Sequence, residues 1–223
     1  MDFKKLNAKN AELRDFLLSV LTLSLISSIF DFSLFFSFFL IFSASIGLKI
    51  LAEKYAAKKL DLKANYSFRY NYFILSLVGA IISAGSFVFP IVGFSDISGG
   101  SDVKRLGKAF SNIASKEKAH ISLIGLLSSA LLVFLCIILM DFNPSFFQRF
   151  FEVNSLILLF SLLPFSRFSG SNILWWSRIL WVACALFSLL LAFLAFFGVN
   201  LWISLIATAA LLIIAFIFWE KTF

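Results

Sequence analysis

The stretch SLLPFSRFSGSNILWW, residues 161–176, interrupts a long apolar run with Pro164, the charged Arg167 and the triplet Ser169-Gly170-Ser171. Proline lacks the N–H that a helix interior needs and clashes with the preceding turn, so a helix cannot run through position 164 unbroken. In hydrocarbon, a broken helix is tolerated only where surrounding protein satisfies its freed backbone groups. The stretch therefore predicts a bundle of membrane helices with an interruption buried inside it.

Composition supports the membrane reading. Of the 223 residues, 61% are hydrophobic and 14% charged, and the mean hydropathy is +0.99; a soluble domain needs more polar surface. No Asp, Glu, Lys or Arg falls in 32–48, 70–95, 119–140 or 179–219. A helix crosses the ~30 Å hydrocarbon layer in about 20 residues. Candidate spans lie at 13–29, 33–52, 72–92, 121–140, 153–165, 178–197 and 201–219. The expected fold is all-α and polytopic, with about six or seven transmembrane segments. It forms one membrane-embedded domain over 1–223 that closes with a helical hairpin at 178–219. Trp175, Trp176, Trp181, Trp202 and Trp219 lie near the ends of the last spans, as an interfacial belt requires.

The net charge of +7 follows the positive-inside rule. Lys4, Lys5, Lys9 and Arg14 precede the first span, the next turn carries Asp31, and six basic residues follow from Lys49 to Arg69. This places the N-terminus in the cytoplasm and excludes a nucleic-acid interface, because these cations flank spans. The first fifteen residues are mixed in charge, and no small-residue cleavage site follows the first apolar run. Cys136 and Cys184 fall inside apolar runs and read as small buried hydrophobes.

After Leu60, LDLKANYSFRYNYF alternates with period two, the mark of a strand. The run at 72–92 is long enough to cross, yet the next loop carries Lys104, Arg105, Lys108, Lys116 and Lys118 and belongs on the same side as the previous basic loop. A segment that dips in and returns, turning near Gly79, Ala84-Gly85-Ser86 and Pro90, reconciles the two. SFFQRFFEV, at 145–153, reads as an interfacial piece ahead of the next span.

Three stretches together resemble the site-2 protease family of intramembrane zinc metalloproteases. VNSLILLFSLLPFSRFSGSNIL (153–174) is similar to the family's V-N-x-x-x-A-L-F-N-L-L-P-F-x-x-L-D-G-x-x-I-L segment. SKEKAHISLIGLLSSALL (115–132) resembles its K-I-x-x-A-G-P-x-x-N segment, and ASIGLKILAEKYA (44–56) its zinc helix, H-E-x-x-H-K-x-x-A-x-K-Y, in the archaeal style. The resemblance covers about residues 35–180. It implies two histidines one turn apart and an aspartate on the broken helix around zinc, with a glutamate as general base.

Carried over residue by residue, those positions are empty of ligands. Ala44 and Leu48 stand at the histidines, Ser45 at the base and Ser169 at the aspartate. Ser161 replaces the family's asparagine, while Pro164 and Gly170 are kept. A zinc site needs three protein ligands with lone pairs, so no cofactor and no metal are expected. The single histidine, His120, reads as an interfacial residue beside Glu117 and Lys118, and Asp31 and Asp141 as solvated end caps. Ser45 and Ser169 read as small packing residues, with no base placed to activate them. Arg167 reads as interfacial, with contact to a bound peptide or headgroup as the alternative.

The expected function is a catalytically inactive pseudoprotease. Its groove, around Ser161, Pro164, Arg167 and Gly170, would bind a transmembrane client peptide or regulate an active paralogue within the lipid bilayer. The alternative from another class is a small transporter or lipid-handling protein, since broken helices also build midplane transport sites. An active metalloprotease with a divergent site ranks last, for want of ligands.

Overall fold

The computed structural model describes residues 3–83, 85, 88–99, 113–165 and 168–197. Arg167 and the 198–223 half of the expected closing hairpin lie outside them. The described chain is mostly helical, with a small sheet between its second and fourth long helices.

Helix α1 (Phe3–Ser27) leads to a short turn where Asp31 accepts hydrogen bonds from the Ser33 amide, at 3.2 Å, and its hydroxyl, at 2.6 Å. Helix α2 (Phe35–Lys59) follows and ends at Leu60 and Asp61, whose φ of 54° turns the chain into β1 (Leu62–Phe68). Burial alternates along the first five residues of β1, as the period-two reading requires.

The segment after β1 goes out and comes back beside it. Helix α3 (Tyr70–Ile82) has 13 residues, about 20 Å of rise, too short to cross. The chain then returns as β2 (Gly93–Gly99), antiparallel to β1, with Phe68 opposite Gly93 and Leu62 opposite Gly99. It thus comes back one strand's width from where it left. The outer edge of β1 is closed by α1: the Tyr66 and Phe68 amides donate to Glu12 Oε1 and Asp15 Oδ2 at 3.0 and 3.3 Å.

Helix α4 (Ser115–Leu139) packs against α2, α5 (Pro144–Ser161) and α6 (Ser169–Trp176), and α7 (Arg178–Phe197) closes on α5 and α6. Asn143 caps α5, with Pro144 in its first turn, so the expected interfacial piece and the following span are one continuous helix. Among the described residues, three helices are long and apolar enough to cross a membrane: Phe32–Lys59, Ser115–Leu139 and Arg178–Ala195. The other expected spans do not meet that measure among the described residues.

Serines within the helices spend their hydroxyls on their own backbone. Ser24, Ser28, Ser45 and Ser188 each donate to the carbonyl four residues earlier, at 2.6–2.8 Å. Hydrocarbon offers no other partner, so this is how hydroxyls persist inside a span.

Candidate functional site

The break is a closed structure. Helix α5 ends at Ser161, residues 162–165 lead out of it, and α6 begins at Ser169 with Gly170 against Leu162. Gly170 lies directly on the backbone of Leu162; a Cβ there would collide with the Leu162 carbonyl and stand 2.7 Å from its Cα. The Leu162 carbonyl, freed by the end of α5, accepts from Trp181 Nε1 of α7 at 2.8 Å. Pro164 is exposed at the turn. Glycine at 170 is therefore a steric requirement of the reversal.

On its other side the break packs against the segment that runs from α3 to β2. Phe168 is buried with Phe89, Ile91 and Phe94, and its ring lies 5.2 Å from Tyr72 and 6.3 Å from Phe94. Aromatic contacts of this kind add to the area they bury and fix α6 beside β2.

Between α2, β2, α4 and the break lies an enclosed cavity of about 40 Å³. Its polar lining comprises Lys49 and Glu53 of α2, Tyr66 of β1, Ser95 of β2, Ser122 of α4, Ser161 at the end of α5, and Ser169 and Asn172 of α6. Lys49 and Glu53 are one helical turn apart on one face. Lys49 Nζ donates to Ser161 Oγ at 2.8 Å. Glu53 Oε2 accepts from Ser95 Oγ at 2.5 Å. The Glu53 carboxylate rests on Gly125 of α4, where a Cβ would meet Glu53 Oε1 and lie 2.8 Å from its Cγ. Asn172 Nδ2 donates to Ser122 Oγ at 2.9 Å. Every element around the cavity except α5's own helix body is thus tied to a neighbour through a polar side chain.

Ser95, Ile97 and Asn172 also wall a larger open cleft of about 580 Å³ between β2 and α6, rimmed by Asp96, Lys118, Pro164 and Trp175. Among the described residues β2 has one neighbour, β1, so its second edge borders this cleft.

The residues expected at the site divide into two groups. Ser161 and Ser169 line the cavity, Pro164 lines the cleft, and Gly170 makes the reversal. Ala44, Ser45 and Leu48 line neither space. Ala44 and Leu48 are exposed on the outer face of α2, and Ser45 is bonded to Ile41 of its own helix. The face of α2 that looks at Ser169 carries positions 49 and 53, five residues further along. Neither Lys49 nor Glu53 is singled out by the sequence reading, which takes Lys49 as one of the basic residues flanking a span. The available signal was their i, i+4 spacing. His120 is buried, with its ring 5.1 Å from Trp176, and is not a solvent-facing edge residue.

Zinc does not fit this lining. Glu53 is its only carboxylate, a lysine stands beside it, and the remaining groups are hydroxyls and an amide. No group of three or more His, Cys, Asp or Glu placed to hold a metal occurs among the described residues. Neither family profiles, curated proteins nor solved structures give a match to this chain.

Proposed function

We propose that the chain is a metal-free, site-2-protease-like membrane protein, a pseudoprotease without metal-dependent activity, that holds a segment of a membrane client in the cleft between β2 and α6. The observation that carries the reading is the meeting of Ser169, on the broken helix, with two side chains one turn apart on α2 across a polar cavity. In the protease family that arrangement holds zinc. On this reading the two histidine positions correspond to Lys49 and Glu53, with Ile50 at the general base, and the aspartate position to Ser169. An extended client segment fits the free edge of β2, where backbone hydrogen bonds supply affinity without sequence demands. An active paralogue is the second kind of partner this surface suits. The cytoplasmic N-terminus belongs to the same proposal and rests on Lys4, Lys5, Lys9 and Arg14 in the first half of α1.

Restoring the ligands tests it. Purified protein carries no stoichiometric zinc and shows no chelator-sensitive cleavage. The Lys49→His, Glu53→His, Ser169→Asp triple variant binds one zinc per chain by metal analysis, and Ala44→His, Leu48→His, Ser169→Asp binds none. Zinc in the native protein, or equal uptake by both triple variants, overturns the assignment.

A second reading, a small transporter, draws on the same pair. Ionisable side chains inside a span commonly mark a transport path, and Lys49 and Glu53 lie within one. Proton flux in proteoliposomes that disappears in Glu53→Gln would favour it.

A further inference from the structure

Lys49 and Ser161 stand in a relation that binding alone does not require. An amine 2.8 Å from a serine hydroxyl is within the range at which a base activates a nucleophile, and serine–lysine pairs recur as a variant of the hydrolytic triad. We propose that Ser161 and Lys49 form a nucleophile–base dyad that attacks a peptide carbonyl presented from the cleft between β2 and α6. The nature of the occupant rests on the cleft's reading as a client site; the covalent chemistry departs from that reading, because it makes the chain a metal-independent hydrolase and not an inert holder.

The surroundings supply the other parts. Ser161 is the last residue of α5, so its hydroxyl sits where the helix ends and the cavity begins. The cavity and the cleft share Ser95, Ile97 and Asn172 as walls, which sets the dyad one side-chain layer from the cleft. Asn172 keeps a second amide N–H after donating to Ser122. That N–H and the Ser169 hydroxyl are donors for a developing oxyanion. Glu53, one turn along the same face, shares the cavity with Lys49, and water in that space would carry away the proton that Lys49 must shed to become the free amine. A space of about 40 Å³ admits water.

The steps balance. As Ser161 Oγ bonds to the carbonyl carbon, its proton passes to Lys49 Nζ. The C–N bond then breaks, the leaving amine takes that proton, and Ser161 carries an acyl ester. Lys49 next deprotonates a water, whose oxygen attacks the ester; the C–Oγ bond breaks, and the proton returns to Ser161.

The test uses the full chain in detergent micelles with a small fluorophosphonate probe, read by intact mass and peptide mapping. We expect one adduct per chain at Ser161, none in Ser161→Ala, and a rate at least tenfold lower in Lys49→Arg. Arginine keeps the charge and the hydrogen bond but cannot serve as base, so a purely structural tether would survive it. Lys49→Met, similar in length and uncharged, repeats the measurement should arginine disturb folding, which thermal unfolding of each variant reports. Ser188→Ala, remote from the cavity, labels like the native chain. No adduct at Ser161, or an unchanged rate in both lysine variants, overturns the dyad. The probe carries no peptide, so it reads the dyad even if the cleft binds no client. The zinc test reads the scaffold even if Ser161 is inert.

Discussion

The two sides of α4 are built differently. One side faces α5, α6 and α7 through Leu123, Leu126, Val133, Leu158, Ile173 and Leu180, an apolar cluster with a void of only about 10 Å³ beside it. The other faces α2 and β2 across a cavity about four times larger, lined by polar side chains from α2, β1, β2, α4, α5 and α6. Protein interiors are close-packed, and voids are few. A polar void kept beside a tight apolar seam shows where the bundle puts stability and where it keeps room for chemistry. In lipid, where apolar burial drives helix association weakly, that stability comes from packing contact.

The largest expected effect lies where the two sides join. Gly170→Val drives two methyl groups into the Leu162 backbone and should cost more than about 4 kcal/mol; reversible unfolding in mixed micelles, or failure to recover monodisperse protein, checks it. Leu158→Ala, on the apolar side, should cost about 3 kcal/mol through the cavity it leaves. If it costs no more than a polar-side truncation, the contrast between the sides is wrong. Gly125→Ala should cost about 2 kcal/mol by overpacking against Glu53. Much of that should vanish in a Glu53→Ala background, which a double-mutant cycle measures.

A pH effect comes next. Tyr66, buried in β1, donates its hydroxyl to Ser19 Oγ at 2.9 Å. Burial pushes its phenol above the ordinary value of about 10, against the pull of that hydrogen bond. The folded state therefore holds the proton longer than the unfolded one. Stability from this group is fully present below pH ~10 and falls above it by about 1 kcal/mol per pH unit; unfolding followed in alkaline buffers, with Tyr66→Phe as the flat control, measures it. The smallest effect belongs to the cavity wall. Ser169→Ala should stay within about 0.5 kcal/mol of the native chain, as for a side chain that no packing contact requires.

The backbone plan was legible from residues. Period-two alternation gave β1, the 72–92 run holds a helix too short to span, α3, and Pro164 with Gly170 gave the break. The facing of α2 was not legible. That helix is apolar nearly all round, so its inward face leaves little trace in periodicity, and the motif likeness points to Ala44 and Leu48, which are exposed. The partnership of Lys49 with Ser161 spans 112 positions and exists only after packing. The burial of His120 depends likewise on Trp176, brought to it by the seating of Gly170 against Leu162.

The closed margin of β1 has a consequence for assembly. Because Glu12 and Asp15 occupy the amides of Tyr66 and Phe68, the ribbon can accept a newcomer from one flank alone. Cutting back the first helix would unmask the opposite flank. A ribbon with one open flank among the described residues would then become a two-faced template, prone to stacking chain upon chain.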